Sequence, residues 1–290
     1  MSDAATYASD AFDLDRLRAH VGHRAEATDR IDTSTVLLLD DVTGAGSPGE
    51  PRDGDVAPLG IHWCIALPGV PLSGLQDDGH PSADHTILPR IPGARRMWAA
   101  GTLSWKTPLH VGDVVTRRSV VTDIAVKSGR SGPLCFVTVA HSYEVGDHVA
   151  VEERQDIVFR TTTAATPPTL APSAPGQPGT FVFTIVADPV RLFRYSALTG
   201  NAHRIHYDHP YATGAEGYPG LVVHGPFQAT MLMQAAARRG RVGRFAYRAV
   251  APLFSGERIT VMEEADGAAF WTTGADGRPG MRADVEWAGS

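Results

Sequence analysis

The stretch from Arg194 to Ala212, RYSALTGNAHRIHYDHPYA, gathers more chemically useful side chains than any other part of the sequence. It holds three histidines spaced by three residues, an asparagine and an aspartate: His203, His206, His209, Asn201 and Asp208. Imidazole has an ordinary pKa near neutral pH, so it can add or remove the proton of a water molecule. The stretch is therefore a candidate site of acid–base chemistry.

The same histidines are also candidate metal ligands. At this spacing they would share one face only on a helix, and Pro210 and the lack of helix-forming residues argue against a helix there. We therefore expect no metal at this site.

A mostly buried helix is predicted by the sequence that follows, HGPFQATMLMQAAARRG. Pro226 suits its first turn, and Gly240 is placed to end it. The first N–H groups of a helix have no intrahelical acceptor and carry partial positive charge. Gly225 has no side chain, so a thioester oxygen could approach its N–H as in an oxyanion hole. Beside a histidine, this arrangement suits hydration or dehydration next to an activated carbonyl, although Gly225 could equally be an ordinary helix start.

Alternating apolar residues between turn signals predict strands around this helix. The predicted strands are Arg24 to Ile31, Arg96 to Trp105, Val114 to Val126, Leu134 to Tyr143, Ala150 to Phe159, Phe181 to Val186, Arg244 to Val250, Arg258 to Glu264, Ala268 to Thr273 and Met281 to Trp287. Short helical segments are predicted near Leu14 to His20 and Val190 to Leu198. The pattern favours an α+β fold of two units, each with one buried helix wrapped by an antiparallel sheet.

The composition limits the classes of partner. The 290 residues include 26 basic and 32 acidic side chains, a net charge of −6, which argues against binding nucleic acid by bulk charge. No apolar run approaches the ~20 residues needed to cross a bilayer, and the N-terminus lacks the pattern of a secretory signal. Two cysteines are too few for a disulfide scaffold. We expect a cytoplasmic protein without membrane association.

The segment GNAHRIH followed by Tyr207 and Asp208 resembles the motif of the MaoC-like, or (R)-specific enoyl-CoA hydratase, family, G-D-x-N-P-x-H. Gly200 and His206 match the glycine and the final histidine, while Asn201 stands where the family has aspartate. The variant is more similar to the branch with the mitochondrial 3-hydroxyacyl-thioester dehydratases, and to bacterial mesaconyl-C4-CoA and itaconyl-CoA hydratases. First-half segments such as DDGHP, LPRIPGARRMWAAGTLSW, PLHVGD and ERQDIVFR also resemble those hydratases.

This resemblance implies a double hotdog fold. Its units would be a degenerate hotdog over residues 1–162, a proline-rich linker over 163–179 and a catalytic hotdog over 180–290. It also implies a hydro-lyase that adds water to an enoyl thioester, with His206 as principal acid or base and Gly225 binding the thioester oxygen. Asn201 would hold the water because an amide cannot act as a base, and Asp208 is a second candidate for proton transfer. No cofactor is expected beyond coenzyme A as part of the substrate, and a homodimer is possible for this fold.

A short branched C5 dicarboxylyl-CoA is the substrate that the resemblance favours, and its free carboxylate would need an arginine partner. The candidate substrate-binding residues are Arg95, Arg96, Arg194, Arg204, His224 and Tyr195. Lys127 and Arg130, in KSGRSG, could cradle a phosphate or simply form a hairpin turn. His224 could also be a space-filling residue at the helix start, and Gly79 to Pro81 indicate loop structure.

Three other functions remain open at this point. They are a dehydratase of carrier-protein-bound 3-hydroxyacyl chains, a hotdog thioesterase, and a non-catalytic acyl-CoA-binding protein. The acidic composition disfavours the first, while Asn201 in place of aspartate keeps the last open.

Overall fold

The computed structural model describes residues 12–44, 49–129, 132–161 and 179–289. The strands in this part of the chain form one ten-stranded antiparallel sheet. They are β1 (Arg24–Arg30), β2 (Ala94–Trp105), β3 (Val114–Gly129), β4 (Gly132–Val145), β5 (His148–Thr161), β6 (Thr180–Val186), β7 (Val242–Ala249), β8 (Arg258–Glu263), β9 (Ala269–Thr273) and β10 (Pro279–Trp287). All ten predicted strands are present, with ends that differ by a few residues.

The sheet repeats one strand order in its two halves. The order is β1-β3-β4-β5-β2 in the first half and, read from the opposite edge, β6-β8-β9-β10-β7 in the second. The halves join where β2 pairs antiparallel with β7, with Ala100 opposite Arg248 and Ser104 opposite Arg244. The second strand of each half therefore lies at the centre of the molecule, next to its counterpart.

Four α-helices lie in the described residues: α1 (Leu14–Arg18), α2 (Thr33–Thr43), α3 (Pro189–Leu198) and α4 (Gly225–Ala237). Helix α4 is buried from Phe227 to Ala236 and packs on β7, β9 and β10, as the sequence predicts. Its alanines let the sheet approach closely, while its methionines and Leu232 fill the remaining core space. The central helix thereby holds its own N-terminus fixed against the sheet.

The first half does not contain the buried central helix that the sequence analysis predicts for it. Between α2 and β2, the described residues form only three short 3₁₀ turns, Ile61–Trp63, Leu72–Gly74 and Ala83–His85. The prolines and glycines spread through this segment prevent a continuous helix, so Ile61 and Ile65 fill the core individually.

Helix α2 is not predicted from the sequence of residues 33–43. Asp32 caps its first turn by accepting a hydrogen bond from Thr35 N, and Gly44 ends it in the left-handed conformation. The helix packs against α3, so one short helix from each half lies side by side beneath the sheet.

Residues 163–178 of the predicted linker and residue 130 lie outside the described residues. No helix in the part of the chain that the structure describes has the length and apolar character to cross a bilayer.

Candidate active site

The predicted catalytic loop begins where helix α3 ends. The chain turns at Gly200, whose φ of +60° is unfavourable for other residues, and Asn201 N then donates to Ser196 O at 2.9 Å. The chain continues into a 3₁₀ turn, Arg204–His206. This turn points the last histidine of the motif inward, and His206 is 7% exposed.

The imidazole of His206 is oriented by the backbone. Its Nδ1 lies 2.7 Å from Val222 O and therefore carries the proton that it donates. Its Nε2 has no hydrogen-bond partner among the described residues and is still accessible to solvent. Burial lowers the pKa of His206 to about 4, so the ring is neutral at neutral pH. A neutral imidazole with a free Nε2 lone pair is the form that a general base requires.

The same ring lies next to the start of α4. His206 stacks on His224, with ring centroids 3.7 Å apart and planes 18° from parallel. His224 is the cap residue immediately before Gly225, and its Nε2 lies 2.8 Å from Ser196 Oγ. A Cβ on Gly225 would lie 2.7 Å from Trp98 Cε3, so glycine is required for this close packing. The His206 imidazole is therefore in contact with the residue that immediately precedes the first residue of helix α4.

Asn201 and Asp208 have different environments. Asn201 Oδ1 accepts a hydrogen bond from His203 N at 3.1 Å, which fixes the amide at the loop. Asp208 accepts two hydrogen bonds from Arg204 and one from Tyr211 N. The bond from Arg204 is the main reason that the pKa of Asp208 is lowered. None of the described contacts joins Asp208 to His206, and its proton-transfer role stays a prediction.

A segment of the first half lies directly on this loop. Asp78 O accepts from Arg204 N at 2.9 Å, and the ring of His80 lies 4.1 Å from that of His203. His80 Nδ1 is 2.9 Å from Asp78 Oδ2, and this hydrogen bond lowers the pKa of Asp78 to about 2 against the opposing effect of burial. A Cβ on Gly79 would lie 1.7 Å from Ala202 O. Close docking of this segment therefore depends on glycine.

The predicted substrate-binding residues divide into several groups. Arg95 pairs with Glu216 at 2.8 Å, and Arg194 pairs with Asp41 on the surface. Arg204 is held by Asp208 and lies 4.2 Å from the centre of the Tyr211 ring. Arg96 makes no hydrogen bond or ion pair with any described residue.

The remaining predicted residues lie either in the core or away from the loop. Tyr195 is 1% exposed, and its hydroxyl is 3.3 Å from Thr230 Oγ1. His224 is fully buried and contacts protein groups on both faces. Lys127 is exposed on the β3–β4 hairpin above the Phe136 ring, while Arg130 lies outside the described residues. None of the contacts described for Lys127 reaches the His206 loop.

The three histidines of the segment have different environments, although they are evenly spaced in the sequence. His209 is exposed, whereas His203 faces Asp78 and His80, and ligand atoms of these three lie within 4.8 Å of one another. Arg96 lowers the pKa of both His80 and His203 by its charge, although burial is the larger cause. A cation next to the cluster disfavours a second cation, so the residues do not fit a metal site well.

Sequence reasoning missed Asp78, His80 and Trp98 as parts of the site. The only signal was the unusual length of the proline- and glycine-rich segment between α2 and β2. Gly79 to Pro81 do form loop structure, but that loop docks on the catalytic segment.

The fold is that of known double hotdog proteins. A Mycobacterium tuberculosis protein described as having a double hotdog fold matches with a TM-score of 0.57 and 13% identity, over 91% of this chain and 95% of that one. The α+β double hotdog prediction is thus confirmed.

Residues 60–255 match the family described as hydroxyacyl-thioester dehydratase type 2. The chain is 40% identical over 276 residues to mesaconyl-C(4)-CoA hydratase of Chloroflexus aurantiacus, covering 93% of this chain and 98% of the relative. It is 28% identical over 231 residues to the mitochondrial hydroxyacyl-thioester dehydratase type 2 of Schizosaccharomyces pombe, covering 70% and 76%. The chain belongs to the hydroxyacyl-thioester dehydratase type 2 family, an enzyme family of hydratases and dehydratases, which confirms the predicted resemblance.

Proposed function

We propose that this protein reversibly adds water across the α,β double bond of a short enoyl-CoA that carries a second carboxylate, such as mesaconyl-C4-CoA, to give citramalyl-CoA. The observation that carries the chemistry is the neutral His206 ring, tethered at Nδ1 and free at Nε2, beside the start of helix α4. The 40% identity to a protein named as a mesaconyl-C(4)-CoA hydratase supports the substrate class.

In this proposal His206 Nε2 removes a proton from water as the water oxygen attacks the β-carbon. The α,β π electrons move toward the thioester, and charge develops on its carbonyl oxygen. Gly225 N–H stabilises that oxygen, since an N-terminal helix amide has no intrahelical acceptor. The imidazolium then gives its proton to the α-carbon, so the atoms balance without a second acid. Dehydration follows the same steps in reverse.

Asn201 is proposed to orient the water rather than to accept its proton. Its Oδ1 already accepts from His203 N, and one lone pair is left for an O–H of the water. The second O–H then points at His206 Nε2. Because the thioester acidifies the α-proton, the chemistry calls for no metal or redox cofactor, and coenzyme A takes part only as a portion of the substrate.

The decisive test compares His206→Ala with the parent. Hydration of mesaconyl-C4-CoA and crotonyl-CoA is measured from the loss of enoyl absorbance. Removal of a general base costs about 10²–10⁴-fold, so we expect kcat to fall by about 1,000-fold with either substrate. His209→Ala is the matched control, because His209 is an exposed histidine of the same segment.

Two outcomes would overturn the proposal. One is parent-level turnover in His206→Ala. The other is release of free thiol by the parent without hydration, which is the signature of a thioesterase. Binding of CoA esters with no turnover by the parent would instead indicate a non-catalytic protein, and turnover only of carrier-protein thioesters would identify the other dehydratase class.

A further inference from the structure

Arg96 differs from Arg95, Arg194 and Arg204 because its guanidinium forms no hydrogen bond or ion pair with the described residues. Arg95, Arg194 and Arg204 each form an ion pair with a carboxylate. Arg96 forms none with the described residues, although it is partly buried; burial lowers its pKa to about 10, and the negative charge of Asp78 opposes this only in part. A partly buried guanidinium without an ion pair can gain more from a bound anion than a fully hydrated one.

The position of Arg96 on β2 brings it close to the proposed thioester site. Alternate residues of a strand face the same side, so Arg96 shares a face with Trp98, about 6.6 Å further along the strand. Trp98 packs against Gly225 at the start of α4. Arg96 therefore lies two strand residues from Trp98, the residue that packs on the helix start whose amide is proposed to hold the thioester oxygen.

Arg96 also lines an open cleft that borders the catalytic loop. Its walls include Asp78 and His80, the residues that dock on the loop. The charge of Arg96 lowers the pKa of His203 by a minor amount, which reflects its proximity to that ring. The ring of His203 is in turn 5.6 Å from the ring of His206. The cleft is lined by first-half residues, and His80 in its wall contacts His203 of the catalytic loop, next to the proposed base.

We propose that Arg96 binds a carboxylate on the β-carbon of the enoyl-CoA and so determines the preference for dicarboxylyl thioesters. This inference rests on the proposed function and deepens it. A carboxylate on the β-carbon lies one bond from the carbon that takes up water, so its anchor must be near the base. A guanidinium offers the two parallel N–H donors that a carboxylate accepts.

The cleft contains a second arginine that could play this part. Arg90 also lines it, but Arg90 is exposed and comes from the loop before β2. A hydrated surface guanidinium gains little from an added ion pair, whereas a desolvated one gains more. The structure therefore favours Arg96, and the two can be separated by substitution.

The test is substrate preference. In Arg96→Gln we expect kcat/KM for mesaconyl-C4-CoA to fall on the order of 100-fold, because a charged hydrogen-bond pair is lost. Crotonyl-CoA carries no second carboxylate, so its kcat/KM should change by less than about 3-fold. Arg96→Lys keeps the charge without the fork and should give an intermediate preference. Arg248→Gln, an exposed arginine on the neighbouring strand β7, should behave as the parent with both substrates.

Inhibition provides a second readout that needs no turnover of the inhibitor. Succinyl-CoA and butyryl-CoA differ by carboxylate against methyl on the β-carbon, and neither can be hydrated. The parent should bind succinyl-CoA more tightly, and Arg96→Gln should lose that difference while keeping the affinity for butyryl-CoA. A variant that fails to fold would lose affinity for both.

The inference is overturned if Arg96→Gln lowers kcat/KM equally for both substrates, leaves the preference intact, or leaves the succinyl-CoA difference intact. It is also overturned if Arg90→Gln, rather than Arg96→Gln, abolishes the preference. Failure of the proposed function is a separate result, because the parent itself would then hydrate neither substrate.

Discussion

The two halves of the molecule share a strand order but fill the space beneath it differently. The second half places the thirteen-residue helix α4 there, and the helix start forms part of the candidate site. The first half places a buried polar network there instead. Glu153, 3% exposed, accepts hydrogen bonds from Trp63 Nε1 at 2.9 Å and Tyr143 Oη at 3.0 Å. That network satisfies its own donors, and the first half presents no helix N-terminus to a substrate among its described residues.

The buried histidines of the two halves show the same contrast. His206 has one ring nitrogen bonded to the backbone and the other free to accept a proton. His62 is 1% exposed, and neither of its ring nitrogens has a partner among the described residues. A fixed ring with one open nitrogen can do chemistry, whereas a ring enclosed by Trp63 and Tyr143 can only pack. Burial alone therefore does not identify a catalytic histidine.

The first half still contributes to the site through the segment that docks on the catalytic loop. We expect Gly79→Ala to lower kcat/KM by at least about 100-fold, because its Cβ would lie 1.7 Å from Ala202 O and the loop would be displaced. The measurement is enoyl-CoA hydration, with the free energy of unfolding determined in parallel.

Gly54→Ala is the matched control for that substitution. Gly54 also has a positive φ, +92°, but a Cβ there meets nothing within 4 Å. It should carry the backbone cost of about 1 kcal/mol and keep parent activity. Equal activity in the two variants would show that the docked segment is not part of the site.

Buried histidines in both halves predict acid destabilisation. Burial lowers the pKa of His62 and His141 to about 3, that of His206 to about 4 and that of His203 to about 2. In the unfolded chain these imidazoles titrate near pH 6.5, so below it only the unfolded state takes up protons. The stability that each provides is fully present above about pH 6.5 and falls by about 1.4 kcal/mol per pH unit until the folded pKa is reached.

Urea denaturation at pH 7 and pH 5 measures this effect. Each such histidine should lower the free energy of unfolding by up to about 2 kcal/mol at pH 5. A free energy of unfolding that stays constant over this range would contradict the folded-state pKa values in both halves.

The smallest effect is expected for His62→Phe, a substitution that tests whether this buried histidine only packs or also takes part in the chemistry. His62→Phe removes two buried nitrogens without partners and keeps a ring of similar shape, so we expect the free energy of unfolding to rise by about 1 kcal/mol at pH 7. Hydration activity should remain at the parent level. The fall in stability between pH 7 and pH 5 should shrink by the contribution of one histidine. A clear loss of stability would contradict this and would mean that a ring nitrogen of His62 forms a stabilising hydrogen bond.

Much of the fold follows from local patterns in the sequence. Alternation of apolar residues predicts all ten strands, since one face of each strand must be buried. The composition of HGPFQATMLMQAAARRG predicts α4, and the interruptions by proline explain why the first half has no equivalent. Helix α2 escaped prediction because its apolar run, Val36–Leu39, is short and lacks clear periodicity.

The sequence by itself determined those parts of the site that lie close together along the chain. The spacing of Asn201 and His206 and the Gly225 helix start are local, so the resemblance that they carry could be recognised directly. Tertiary structure alone decided which of the predicted arginines forms no ion pair with the described residues, and which first-half residues reach the loop. Arg204 donates to Asp77 O across 127 residues of sequence, and Arg95 reaches Glu216 O across 121. Such pairings depend on how distant segments pack, and no local spacing encodes the distance between them.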